Sequence, residues 1–337
     1  MTIAELEHFH ALLLDKEAAV SEWLSAQRAV GDSDTVKAQD LLKQIREGIR
    51  RIEDRSFGAC AVCHDAVELH RLEIQPITQI CLGCISPEET AELEQDLFLA
   101  SKIHRALLPQ SVARIDGFEL AVRSMAARIV GGDYYDFLTE SPNGYPIVVI
   151  ADVMGKGLPA GLLMSNVQGA LQIMAEEQKS PSELLSRLNR WLCRNVPVTK
   201  FVSLACVAVE PGNRPVSRLV QANAGHCPPV IIRRDGSTET LEPTGGVLGV
   251  HEGFQYDECR HELRSGDILL LYTDGVIEAE NEMGEMFGEK QLMSFVSGRR
   301  AKPLQSILED LSRQLQIFRA KPELHDDYTV ILLRKLA

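Results

Sequence analysis

Four aspartates in the last two-thirds of the chain each stand where an apolar run meets a turn. They are Asp133 in Val-Gly-Gly-Asp-Tyr-Tyr-Asp, Asp152 in Ile-Ala-Asp-Val-Met-Gly-Lys-Gly, Asp274 in Leu-Leu-Tyr-Thr-Asp-Gly and Asp326 in His-Asp-Asp-Tyr-Thr-Val. Carboxylates at strand ends can gather on one rim of a sheet, where their mutual repulsion is tolerable only with cations between them. An all-oxygen cluster selects hard ions such as Mg²⁺ or Mn²⁺ over zinc. Two such ions about 3.5–4 Å apart can activate a water for in-line attack on phosphorus and neutralise the phosphoryl oxygens. That chemistry depends on positioned charge rather than a Ser or Cys nucleophile, and the sequence places neither convincingly. Glycines at 131, 132, 155, 157 and 275 would let backbone approach metal or substrate closely.

A second set of donors lies upstream. Cys60-x2-Cys63, seventeen intervening residues and Cys81-x2-Cys84 have the spacing of a tetrahedral zinc site with four thiolate ligands. Four thiolates leave no open coordination position, so the expected role is structural: one Zn²⁺ folding a segment too short to build its own core. Cys193, Cys206, Cys227 and Cys259 are scattered and read as reduced, buried thiols.

The elements that must position these groups follow from hydrophobic spacing. Residues 3–30 carry Leu6, Phe9, Leu13, Val20 and Trp23 at helical spacing, Gly31-Asp32-Ser33-Asp34 breaks that helix, and Ala38, Leu41, Ile45, Ile49 and Ile52 form a coiled-coil-like stripe. An antiparallel hairpin is expected. A further helix from Pro87 to Pro109 has a stripe of Leu93, Leu97, Ala100, Ile103 and Leu107, suited to a core or to a homodimer seam. Beyond it strands are expected at 117–124, 146–152, 201–209, 216–223, 228–233, 267–273 and 328–334, with helices at 158–177, 181–195 and 303–318.

The 337 residues are 45% hydrophobic and 25% charged, a composition of globular domains. A net charge of −13 disfavours direct nucleic-acid binding. No apolar run approaches the ~18 residues that cross a bilayer, and the acidic start is unlike a signal peptide, so no membrane partner and a cytoplasmic location are expected.

The four aspartate motifs in order, with Asn-Ala-Gly-His-Cys-Pro-Pro (223–229) between the second and third, resemble the metal-dependent PPM (PP2C-like) serine/threonine phosphatases, most closely the bacterial SpoIIE/RsbU type. The resemblance covers roughly 110–337 and implies an αββα β-sandwich within an α+β chain. It further implies that Asp133 and Asp152 coordinate both of two Mn²⁺ or Mg²⁺ ions, with the carbonyl of Val153 as another ligand and Asp274 and Asp326 completing the second ion's shell. Asp327 forms a doublet with Asp326, and Asp136 is a weaker candidate. Arg128 and Lys156 are candidate phosphate contacts, and His226 reads as a turn-stabilising residue. The implied substrate is a phosphoserine or phosphothreonine protein, a STAS-type anti-sigma-factor antagonist.

Residues 57–88, with Phe-Gly-Ala-Cys-Ala-Val-Cys and Arg-Leu-Glu-Ile-Gln-Pro-Ile-Thr-Gln-Ile-Cys-Leu-Gly-Cys, resemble the zinc finger of the DksA/TraR-type regulators, which bind RNA polymerase. The second hairpin helix here, roughly 35–53, spans only about 30 Å at about 1.5 Å per residue. The expected organisation is a helical hairpin (1–56), a zinc finger (57–88), a linker and dimerisation helix (89–109) and a phosphatase domain (110–337). The N-terminal region would be regulatory. The competing expectation is an RNA-polymerase- or partner-binding adaptor with a non-catalytic phosphatase scaffold.

Overall fold

The computed structural model describes residues 2–26, 33–138, 145–177, 180–197, 199–319 and 324–337, and the chain divides into two compact units, 1–95 and 96–337. Gly31 and Asp32 of the expected hairpin turn lie outside the described residues. No helix among the described residues is long and apolar enough to cross a membrane.

In the first unit α1 (Ile3–Ala26) packs on α2 (Ser33–Glu53). Glu17 pairs with Arg46 at 2.7 Å while Leu13 meets Gly48 and Phe9 stacks near Phe57, so the two helices run antiparallel. Phe9, Leu13 and Ile45 are buried together with Phe57, Cys60, Val67, Leu72 and Cys81. The cysteine segment therefore shares the hairpin's small core. A one-and-a-half-turn helix, α3 (Leu69–Ile74), and a 3-10 turn at Leu82–Cys84 complete it. Helix α4 (Pro87–Leu107) runs continuously through the division at 95/96.

Among its described residues the second unit holds ten strands in two antiparallel five-stranded sheets. The first has the order β1 (Phe118–Met125), β10 (Tyr328–Lys335), β9 (Ile268–Tyr272), β6 (Val230–Ile232), β7 (Thr238–Thr240). The second has the order β2 (Tyr134–Leu138), β3 (Ile147–Val153), β4 (Val202–Val209), β5 (Val216–Ala224), β8 (Cys259–Arg264). Side chains alternate faces along each strand. Val148, Ile150, Val207 and Leu219 of one sheet meet Leu269, Leu271, Ile331 and Leu333 of the other between the sheets. The opposite parity of the second sheet (Val149, Ala151, Leu204, Cys206) packs on α5 (Leu158–Ala175) and α6 (Pro181–Asn195). The opposite parity of the first (Leu270, Tyr272, Val330, Leu332) packs on α8 (Gly288–Arg299) and α9 (Leu304–Phe318), with the single-turn α7 (Asp274–Ile277) following β9. The result is the expected αββα sandwich. Helix α6 starts where its sequence directs: Ser180 accepts the N–H of Glu183, and Pro181 fills the first turn, where no N–H is needed.

Candidate active site

Strand parity aims the acidic side chains. Asp152 lies two residues beyond Ile150, on the inter-sheet face at the very end of β3. Asp133 precedes β2 with the parity of inward-facing Phe137. In the other sheet Thr273, Thr329 and Asp327 share the parity of Leu271 and Ile331. Tyr134 pairs with Ala151 and Tyr272 with Val330, so the start of β2, the end of β3, the end of β9 and the start of β10 form one rim.

Hydrogen bonds tie that rim across the two sheets. Thr273 Oγ1 and Thr329 Oγ1 both donate to Asp133 Oδ2, at 2.9 and 2.8 Å. Asp327 accepts the N–H of Ala127 on Oδ1 and of Gly132 on Oδ2, each at 2.6 Å. With both oxygens committed to backbone, Asp327 braces the Gly-Gly turn, and Asp326 is the member of the doublet that faces outward. The doublet is packed tightly against its neighbours. A Cβ at Gly131 would lie 2.7 Å from Asp327 Oδ2, and one at Gly275 would lie 1.9 Å from the Asp327 carbonyl oxygen. A Cβ at Gly132 would fall 2.9 Å from the Val153 carbonyl oxygen, so only glycine lets that carbonyl approach the turn.

The electrostatics describe a cluster of charge short of counterions. Burial, then the charges of Asp274, Asp326 and Asp327, push Asp152 up to about 7. Burial followed by the charge of Asp152 raises Asp133 well above the ordinary carboxylate range, against the two threonine hydrogen bonds. Burial and Asp326 raise Asp274. Asp152 thus feels Asp274, Asp326 and Asp327 and itself acts on Asp133, and bound cations would relieve the repulsion. The donor set, carboxylates plus one carbonyl, suits Mg²⁺ or Mn²⁺. Among the described residues only the four cysteines bring at least three ligand atoms within 4.8 Å of one another. The rim carboxylates do not reach that spacing, so their case as cation ligands rests on their mutual repulsion and hard-oxygen chemistry.

Lys156 reaches back over the rim: its Nζ lies 2.7 Å from Asp326 Oδ2 and donates to the His325 carbonyl at 2.8 Å. Arg128, exposed and without an ion pair among the described residues, lines a cleft of about 590 Å³ with Gly131, Asp133 and Asp327. Asp136 is elsewhere engaged, accepting Tyr134 OH (2.5 Å), Gln172 Nε2 (2.6 Å) and the N–H of Phe137 (2.7 Å) on the α5 side of β2. His226 is buried and closes its turn through Asn223, whose Oδ1 accepts the His226 N–H at 2.8 Å. Sequence reasoning missed two contributors. His104 of α4 is buried with Nε2 3.0 Å from the Gly131 carbonyl, and Lys200 Nζ would touch a Cβ at Gly155 at 3.3 Å. Neither carries a local signature in the sequence.

In the first unit Cys60, Cys63, Cys81 and Cys84 bring their sulfurs within 4.8 Å of one another. The N–H groups of Cys63, Cys81 and Val62 point at Cys60 Sγ and bring its thiol down to about 6. Tight mutual spacing and all-sulfur donors fit one Zn²⁺.

Comparison with known proteins agrees with this architecture. Residues 142–336 match the family Stage II sporulation protein E (SpoIIE). The phosphoserine phosphatase RsbU of Bacillus subtilis is 30% identical over 250 residues, covering 72% of this chain and 71% of that protein. The PP2C domain of SiaA from Pseudomonas aeruginosa shares the fold with a TM-score of 0.65 at 21% identity, over 73% of this chain and 98% of that one. The RNA polymerase-binding transcription factor DksA of Escherichia coli is 30% identical over 56 residues, 17% of this chain and 37% of DksA. The chain belongs to the SpoIIE family: a phosphatase domain of the PP2C type, joined to a DksA-like N-terminal part with a four-cysteine cluster that fits zinc.

Proposed function

We propose that the chain is a metal-dependent protein serine/threonine phosphatase that hydrolyses phosphoserine or phosphothreonine on a cytoplasmic regulatory protein, a STAS-type anti-sigma-factor antagonist. The observation that carries this reading is the rim itself, where buried Asp133 is repelled by Asp152, and Asp152 in turn by Asp274 and Asp326, across strand ends. Asp133, Asp152, the Val153 carbonyl, Asp274 and Asp326 would hold two Mn²⁺ or Mg²⁺ ions, which when bound supply an activated water and neutralise phosphate charge. The protein's own part is placement. Thr273 and Thr329 hold Asp133 in one rotamer, and Asp327 fixes the turn that carries it. Arg128, with an unpaired guanidinium fork above the cleft, is suited to grip the phosphoryl oxygens of an entering phosphoserine.

The N-terminal region is read as regulatory. Leu97, Phe98, Leu99 and Ile103 of α4 are exposed, which supports a homodimer seam along that helix. Kinship with RsbU supports the phosphoserine-protein substrate. The test is phosphate release from a phosphorylated STAS protein by the full chain in Mn²⁺. Asp152→Asn should lose more than the ~10–100-fold typical of an outer-shell partner. Undiminished release in that variant refutes the assignment of the site. A second reading, favoured by the DksA likeness alone, gives residues 1–95 an RNA-polymerase contact, and co-purification of polymerase with the full chain would support it.

A further inference from the structure

Among the described residues, Lys156 is the one side chain that forms an ion pair with any of the five rim aspartates. Its partner, Asp326 Oδ2, is the oxygen that residue has left, because Oδ1 accepts the N–H of Asp327 at 3.0 Å. A second hydrogen bond to the His325 carbonyl holds the ammonium in place. The pair is nevertheless soft. The two side chains are 43% and 34% exposed, in the range where an ion pair holds only loosely. Lys156 is flanked by Gly155 and Gly157 with φ of 112° and 72°, backbone that other residues rarely adopt, so a glycine on each side sets the turn that carries it. A cavity of about 350 Å³, lined by Lys156, Glu278, Asn281 and Asp326, gives the side chain somewhere to go.

We propose that Lys156 is a built-in competitor for the divalent cation on the Asp274–Asp326 side of the rim. The inference rests on the two-metal reading given above. An ammonium and a divalent ion both require Asp326 Oδ2 and repel each other, so ion binding there expels the lysine, and the lysine lowers the ion's affinity. Among the described residues no side-chain cation forms an ion pair with Asp133 or Asp152 at the other cation position, so the two positions load unequally. Once displaced, Lys156 carries its positive charge on a glycine-flanked turn at the mouth of the site, where an anionic substrate arrives. A lysine that merely oriented Asp326 would act in the opposite sense, since outer-shell partners strengthen metal binding.

That difference in sign is the test. The zinc-loaded full chain is titrated with Mn²⁺ by calorimetry at fixed pH, and the weaker step is identified as the one lost in Asp326→Asn. In Lys156→Met that step should tighten about three- to tenfold, while Lys156→Arg should leave it near the wild-type value. The rise in Tm produced by a fixed, subsaturating Mn²⁺ concentration should grow in the Met variant alone. An unchanged or weakened step in Lys156→Met overturns the proposal, as does an Arg variant that behaves like the Met variant. If wild-type protein shows no Mn²⁺ uptake that Asp152→Asn alters, the two-metal reading falls and this inference with it.

Discussion

Asp327 Oδ2 accepts the backbone N–H of Gly132 at 2.6 Å, joining the start of the last strand to a turn 195 positions earlier. The same carboxylate accepts the N–H of Ala127, so one side chain satisfies two donors and fixes the loop that presents Asp133. Asp327→Ala leaves both N–H groups without a partner, at a cost on the order of 2–4 kcal/mol. Its removal also relieves repulsion on Asp152, so the loss is to be read by urea unfolding with Mn²⁺ present. Asp327→Asn keeps one acceptor and should fall between wild type and Ala. An Ala variant as stable as wild type would show that the turn does not depend on this brace.

Gly275 tests the packing behind the brace. A methyl there would lie 1.9 Å from the Asp327 carbonyl oxygen, which is backbone and has no rotamer to escape into. Gly275→Ala should destabilise by about 3 kcal/mol, the upper part of the range for overpacking, and weaken Mn²⁺ binding because Asp274 and Asp326 move with the backbone. Gly169 is the control. It lies inside α5 with nothing within 4 Å of its Cβ position, so Gly169→Ala should gain about 0.5–1 kcal/mol from lower unfolded-chain entropy. Thermal unfolding of the two variants should show Tm shifts of opposite sign.

What was legible in the sequence follows the same physics. Strands β3, β4, β9 and β10 are buried on both faces, so they appear as unbroken apolar runs. Strand β8 was missed because it is a charged edge, Cys-Arg-His-Glu-Leu-Arg, with Leu263 its one fully buried side chain; β7 is three residues long. Strand β2 follows directly on Gly-Gly-Asp, where turn chemistry masks its onset. The aspartates were visible because each stands where an apolar run meets a turn. Their supports were not: Thr273 on Asp133, Asp327 on Gly132 and His104 on Gly131 are pairings created by sheet packing, and no local pattern encodes them.

The cysteine cluster makes a prediction confined to the first unit. Cys60 and Cys81 are buried beside Phe9, Leu13, Ile45 and Phe57, so the sulfur cage and the hairpin core are one structure. Structural zinc contributes apparent free energies of about 10–16 kcal/mol to small modules at neutral pH. Chelation of zinc, or Cys81→Ser, should therefore lower hydrogen-exchange protection through α1, α2 and the cysteine segment. The sandwich, whose core is made of its own strands and helices, should keep its protection. Loss of protection in β3 or β10 on chelation would contradict this division of stability.

His226 makes the pH prediction. Its imidazole is fully enclosed, with Nδ1 2.8 Å from Ser203 Oγ, and burial pushes its pKa down from 6.5 to about 4. The folded protein therefore binds fewer protons at this site than the unfolded chain between those two values. Stability is unaffected above about pH 6.5 and falls as pH drops toward 4, by about 3 kcal/mol from this group. The sign is opposite to that of a histidine paired with a carboxylate, which gains stability on acidification. His226→Gln removes the titration while leaving a polar side chain in the turn. Its unfolding free energy should be lower than that of wild type at pH 7.5, and the gap should narrow steadily as pH approaches 4. A gap that stays constant across that range would mean the imidazole protonates freely in the folded protein and is not sealed in the turn.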